Sequence, residues 1–220
     1  MSKFHNIAVI LAGGSGKRVG GNLPKQLRTL PDGRTMLETC IDTFRSCPSI
    51  DEVVVVMHPD WTAYVPKDIQ VIEGGNERWE SSLHAVQALA LTHTPDTTNI
   101  LLHDCARPFV SVDIIERVCA ALETHEAVTV AVPAIDTIYR TENQQLIEIP
   151  KRTTMMHAQT PQAFRLTVIA EAFKRALDNT KGITATDDAG IILRYMPDSP
   201  IIIVEGSEQN RKVTFAEDLC

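Results

Sequence analysis

The chain has 220 residues, of which 44% are hydrophobic and 22% charged, a balance that excludes disorder and collagen-like repeats and suits one large domain over residues 1–220. Its formal charge of −7 disfavours a generally basic nucleic-acid surface, so any cations that meet a phosphorylated ligand should be clustered. Apolar runs such as Ala8 to Ala12 and Val53 to Met57 fall short of the roughly 20 residues of a membrane span, the opening residues read as no export signal, and five scattered cysteines with no Cys-x-x-Cys pair fit reduced thiols in a cytoplasm.

In chain order, an apolar run at Ile7–Leu11 predicts a strand and Met36–Arg45 a helix. The pattern then repeats: strand at Val53–His58 and helix at Glu80–Leu91, strand at Ile100–His103 and helix at Asp113–Glu123. Uniformly apolar strands such as Val53-Val54-Val55-Val56 are what a parallel sheet covered on both faces demands, so the predicted class is a three-layer α/β fold. Val128–Pro133 predicts a further strand. The alternation then breaks at a predicted hairpin of Asp136–Arg140 and Leu146–Ile149. Helices at Leu166–Leu177 and Asp187–Arg194 and a strand at Ile201–Val204 complete the reading. Ligands of open parallel sheets lie at the carboxyl ends of the strands, so the loops after Leu11, His58, His103 and Val132 are expected to line a site.

The first of those loops carries Leu11-Ala12-Gly13-Gly14-Ser15-Gly16-Lys17-Arg18, followed by Leu23-Pro24-Lys25-Gln26. Gly13, Gly14 and Gly16 let backbone amides approach a phosphate chain, and Arg18 and Lys25 add the cations that phosphoryl or nucleotidyl transfer needs. It is not a P-loop, because Arg18 stands where Ser or Thr would bind magnesium, and it is not Gly-x-Gly-x-x-Gly. A tight turn with surface cations is the alternative reading of the same residues. The histidines show no metal-ligand spacing and read as structural or surface groups, and no Gly-x-Ser-x-Gly hydrolase elbow is present.

With that loop, the motifs Gly74-Gly75-Asn76-Glu77-Arg78, His103-Asp104-Cys105-Ala106-Arg107-Pro108, Ile135-Asp136-Thr137, Gln159-Thr160-Pro161-Gln162, Thr186-Asp187-Asp188-Ala189 and Asn210-Arg211-Lys212-Val213-Thr214 resemble one family in order and spacing. It is the cytidylyltransferases of 2-C-methyl-D-erythritol 4-phosphate and of ribitol 5-phosphate. The resemblance spans nearly the whole chain. It implies a Rossmann-like nucleotidyltransferase fold with a mainly parallel sheet and a protruding β-arm, here about residues 136–156, that reaches the second subunit of a homodimer. It implies that Ala12, Gly75, Asn76 and Ser81 read cytosine, that Arg107 and Thr137 face the polyol phosphate, and that Arg152, Thr160 and Lys212 complete the set meeting acceptor phosphate and triphosphate.

Asp104 closes an apolar strand beside Arg107, and a carboxylate there suits Mg²⁺, which binds through one or two carboxylates plus substrate phosphates. The same carboxylate reads equally as a helix cap or as an ion pair with Arg107. The expected reaction is direct attack of the acceptor phosphate on the α-phosphorus of CTP, with Arg18, Lys25 and Lys212 offsetting charge on the α-phosphate and the departing pyrophosphate. The stretch Val132–Ile138 with Ile149–Arg152 and Gln159–Phe164 looks more like the ribitol-phosphate enzymes, since Tyr139 stands where erythritol-phosphate enzymes usually place a lysine. Thr186-Asp187-Asp188-Ala189 looks more like the erythritol-phosphate group, and the balance leans to ribitol 5-phosphate as the acceptor. A silent nucleotide-binding regulatory module, or a sugar-phosphate transferase using another nucleotide, are the rival readings.

Overall fold

A computed structural model describes residues 4–13, 23–179, 183, 185–215 and 218. Strand β1 (His5–Leu11) lies at the centre of the sheet, parallel to β2 (Glu52–Met57) on one side and to β4 (Thr98–Asp104) on the other. Successive residues of these strands enter opposite cores: Ala8, Ile10, Val53, Val55, Met57 and Leu101 face one layer, and Ile7, Val9, Val54, Val56, Ile100 and Leu102 the other. The uniform apolarity of the strands follows, because both faces are covered.

Helices α1 (Met36–Ser46) and α3 (Val112–Leu122) cover the first face. In α1 the buried set Leu37, Cys40, Ile41 and Phe44 recurs at helical spacing, and Thr35 and Glu38 form a reciprocal capping box at its start. Helices α2 (Arg78–Thr92), α4 (Leu166–Leu177) and α5 (Asp188–Tyr195) cover the other face through Leu83, Val86, Leu89, Ile169, Phe173, Ile191 and Ile192.

The full seven-stranded order is β3-β2-β1-β4-β8-β5-β9, with β3 (Gln70–Glu73), β5 (Ala127–Pro133), β8 (Met156–Arg165) and β9 (Ile202–Glu205). Only β8 runs antiparallel to its neighbours. Two strands lay beyond the sequence reading. β3 has four residues and sits at the sheet edge, too short to show a period. β8 contains Pro161 and two glutamines, and no strand is predicted there because proline and polar residues interrupt the apolar run. It is nonetheless interior, because its pairing with β5 shifts register between Thr129 and Val130, leaving Thr160 and Pro161 in the bulge, where the missing amide of proline breaks no ladder bond with β5.

The predicted hairpin exists but is displaced and shorter: β6 (Arg140–Glu142) pairs with β7 (Gln145–Glu148) as a separate sheet around Asn143 and Gln144, whose φ angles of 47° and 63° suit a two-residue hairpin turn. Among the described residues no helix is long and apolar enough to cross a membrane.

Candidate active site

A pocket opens at the carboxyl ends of β1, β3 and β4. The loops after Leu11 and His103 contribute as expected, but those after His58 and Val132 do not line it; the β3–α2 loop takes that place because β3 extends the sheet beyond β2. From β1, the Ala12 amide donates to the Val56 carbonyl at 2.8 Å and the buried Gln26 side chain donates to the Ala12 carbonyl, fixing the exit of the glycine-rich loop. Gly13 follows and lines the pocket. Lys25 begins a single 3-10 turn after Pro24, and its ammonium donates to the Val213 carbonyl at 3.2 Å on the pocket wall. Gly14, Gly16 and Arg18 lie outside the described residues.

On the facing wall, the turn into α2 depends on the absence of a side chain at Gly75. A Cβ there would lie 2.2 Å from Glu80 Cβ. The Glu80 carboxylate instead folds back over the turn and accepts from the amides of Asn76 at 2.6 Å and Glu77 at 3.0 Å. Ser81 is buried; its hydroxyl accepts from the Gly75 amide at 3.1 Å and donates to the Glu77 carbonyl at 3.3 Å. Ala12, Gly75, Asn76 and Ser81 all line the same pocket.

The floor is a chain of ion pairs. Lys212 Nζ lies 2.6 Å from Asp104 Oδ2, Arg78 Nε lies 2.8 Å from Asp104 Oδ1, and Arg78 Nη1 lies 2.8 Å from the buried carboxylate of Asp188. Burial alone would raise the Asp104 carboxyl, but Arg78 and Lys212 hold it well below the usual carboxylate range. Burial works against charge on Arg78, and Asp188 and Asp104 overcome it, raising the guanidinium above its ordinary value. For Asp188, burial pushes the carboxyl up, while the permanently charged guanidinium beside it favours the ionised form.

Behind the floor, Thr160 does not enter the pocket lining. Its hydroxyl accepts from the Asp104 amide at 3.1 Å and bonds His103 Nδ1 at 3.1 Å, while His103 Nε2 reaches the Arg107 carbonyl at 3.1 Å. The carbonyl can only accept, so Nε2 carries the imidazole proton and Nδ1 accepts from Thr160. Burial lowers the pKa of His103 to about 4, so the ring is a neutral strut. The Arg107 guanidinium donates to the backbone carbonyls of Asn210 at 2.8 Å and Ala158 at 3.0 Å, and burial lowers its pKa. Thr137 and Arg152 are exposed at the root of the arm, where Arg152 donates to the Ile135 carbonyl at 3.0 Å; neither lines the pocket of its own chain.

The structure thus brings Ala12, Gly13, Lys25, Gly75, Asn76, Ser81, Asp104 and Lys212 to one pocket and leaves Arg107, Thr137, Arg152 and Thr160 outside its lining. It adds Arg78 and Asp188, which sequence reasoning quoted within motifs without assigning a role. Arg78 carried a signal: an arginine at the first position of a helix opposes the macrodipole and needs an anionic partner. Chemically, the arrangement sets Lys25, Lys212 and Arg78 around a recess bounded by glycine backbone, with no histidine among the described lining residues. That equips it to neutralise phosphate charge rather than to relay protons.

Comparison with known proteins agrees. The family model of 2-C-methyl-D-erythritol 4-phosphate cytidylyltransferase (IspD) matches residues 6–220. The chain is 41% identical to the 2-C-methyl-D-erythritol 4-phosphate cytidylyltransferase of Thermobifida fusca (strain YX), over 96% of this chain and 89% of that protein. It is 38% identical to the bifunctional ribulose 5-phosphate reductase/CDP-ribitol pyrophosphorylase Bcs1 of Haemophilus influenzae, over 100% of this chain but 48% of that protein. The crystal structure of the Francisella tularensis 2-C-methyl-D-erythritol 4-phosphate cytidylyltransferase superposes with a TM-score of 0.84 at 29% identity, covering 98% of this chain and 96% of that one. The match of the family model over nearly the whole length, together with the 41% identity to the Thermobifida fusca protein, shows that the chain belongs to the IspD family of cytidylyltransferases.

Proposed function

We propose that the chain transfers the cytidylyl group of CTP to 2-C-methyl-D-erythritol 4-phosphate and releases pyrophosphate. The observation that carries this reading is the ion-pair chain at the floor, which fixes Lys212 against Asp104, with Lys25 held beside it at the Val213 carbonyl. The acceptor's phosphate is already a nucleophile, so no general base is needed. Its oxygen attacks the α-phosphorus, the bond to the bridging oxygen of pyrophosphate breaks, and Lys25 and Lys212, joined in this reading by Arg18, offset the charge that grows on both sides. Ala12, Gly75, Asn76 and Ser81 read the cytosine edge, since backbone groups and one hydroxyl converge there.

Asp104 fits a magnesium ion. Its carboxylate is ionised, gives one contact per oxygen to Arg78 and Lys212, and keeps lone pairs for a hard cation whose other ligands would be substrate phosphates and water. Mg²⁺, when bound, supplies further neutralisation of the triphosphate.

The arm supports a homodimer. It leaves Ile135, Tyr139, Leu146, Ile147, Ile149 and Met156 exposed, more apolar surface than a short solvated hairpin carries without a partner. In this reading Arg152 and Thr137 serve the neighbouring subunit's acceptor site. The four described cysteines are buried and unpaired with one another, in keeping with a cytoplasmic enzyme.

Ribitol 5-phosphate is the second reading. It rests on Tyr139 at the position where erythritol-phosphate enzymes usually carry lysine and on the 38% identity to the Haemophilus influenzae protein. Pyrophosphate release with CTP and each acceptor in turn tests both. The erythritol phosphate is expected to give the higher kcat/KM, and turnover with ribitol 5-phosphate alone reverses the assignment. CTP binding without pyrophosphate release from any polyol phosphate overturns the enzymatic reading.

A further inference from the structure

At the edge of the sheet opposite the pocket, three side chains separated in sequence converge. His5 opens β1, Glu52 opens β2, and His93 caps the carboxyl end of α2. His93 Nε2 lies 3.1 Å and His5 Nε2 3.7 Å from Glu52 Oε2, and all three ligand atoms fall within 4.8 Å of one another. Two nitrogens and one oxygen around a tetrahedral ion at about 2.0–2.2 Å stand roughly 3.3–3.6 Å apart, so small side-chain rotations close the set.

Each imidazole turns Nε2 toward Glu52 and has an oxygen near Nδ1. His93 Nδ1 lies 2.9 Å from the Thr92 hydroxyl, which can donate to the ring or accept from it, while Nε2 faces Glu52 at 3.1 Å. His5 Nδ1 faces the Asp51 carboxylate at 3.6 Å, which can only accept. Both Nε2 atoms face the same oxygen of Glu52. A proton on His93 Nε2 satisfies Glu52 as a hydrogen bond, and a divalent ion can take that proton's place, with an outer carboxylate or hydroxyl at each Nδ1 as in the arrangement that orients metal-bound imidazoles. The carboxyl end of α2 adds the negative pole of its dipole.

We propose that His5, Glu52 and His93 bind a divalent transition ion of the zinc class, tying β1, β2 and α2 together at the edge of the sheet away from the active site. Mixed imidazole and carboxylate donors favour zinc, cobalt or nickel over magnesium. The site leaves a fourth position for water.

The test uses the full chain without a histidine tag, stripped with a chelator and held at about pH 8, above the ordinary histidine range near 6.5, with excess Mg²⁺ throughout. Cobalt should give the visible bands of a tetrahedral site at one equivalent, zinc should displace them, and zinc should raise the Tm. His93→Gln and His5→Gln should each weaken zinc binding about tenfold or more, and Glu52→Gln should do the same, with each variant's Tm in chelator close to that of the parent. The proposal fails if the His5→Gln/Glu52→Gln/His93→Gln chain still binds the same equivalent with unchanged affinity. It fails equally if the parent shows only octahedral cobalt bands or loses them to Mg²⁺.

Discussion

Arg78 holds Asp104 on one side and Asp188 on the other, so its loss would leave Asp188 buried without a counter-charge. Arg78→Met is expected to lower the unfolding free energy by about 3–5 kcal/mol in denaturant titration, with Asp188→Asn recovering part of the loss in the double variant. An unchanged midpoint would show that the pair contributes nothing net. Lys25 is different: it lines the pocket and its ammonium donates to the Val213 carbonyl at the pocket wall, so Lys25→Ala should lower kcat steeply while the Tm moves little. A fall in Tm matching the fall in rate would refute a role confined to the transition state. Thr160 acts behind these groups as a positioning residue. Thr160→Val keeps its shape but strips Asp104's amide and His103 Nδ1 of their shared partner, a loss of about 1–3 kcal/mol measurable by thermal unfolding.

At the scale of elements, the bulge in β8 and the arm do separate work. The bulge frees Thr160 from the β5 ladder and turns it toward the end of β4, which explains how a polar, proline-bearing segment sits inside the sheet. The arm packs little of its surface against its own chain: every residue of β6 and β7 is exposed. Leu146→Asp with Ile147→Asp is therefore expected to convert a dimer to a monomer in analytical ultracentrifugation while shifting unfolding free energy of the subunit by no more than about 0.5 kcal/mol. A parent chain that sediments as a monomer removes the premise. If Arg152 acts across that interface, Arg152→Ala keeps CTP affinity and raises KM for the polyol phosphate by the equivalent of about 1.5–3 kcal/mol. Mixing it with Lys25→Ala subunits should then recover activity, because one site of each mixed dimer receives both intact groups.

Across the whole molecule, two buried titrating groups set how stability responds to acid. His103 is neutral in the fold with a pKa near 4, below its ordinary 6.5, so the unfolded chain takes up a proton first as pH falls. Stability therefore declines between about pH 6.5 and pH 4, by up to about 3 kcal/mol from this residue. Asp104 works lower: its depressed carboxyl stabilises the fold fully above the ordinary carboxylate value near 3.9, and that contribution is lost as pH falls further. Denaturant midpoints measured from pH 7 to pH 4 should fall less in His103→Gln than in the parent, and equal slopes would assign the acid sensitivity elsewhere.

The sequence by itself determined the α/β class, the helices at α1, α3 and α4 and the glycine loop, because these depend on local periodicity and on residues whose backbone freedom or charge is intrinsic. Leu37, Cys40, Ile41 and Phe44 mark a buried helix face wherever they are placed. The motif order also made the family legible. Only the tertiary structure decided that β8 is an interior antiparallel strand, that Arg78 and Asp188 belong to the floor, that Thr160 supports Asp104 from behind, and that His5, Glu52 and His93 meet. Each of these rests on pairing between segments far apart in the chain, where register, burial and the aim of a side chain are set by neighbours that no local spacing encodes.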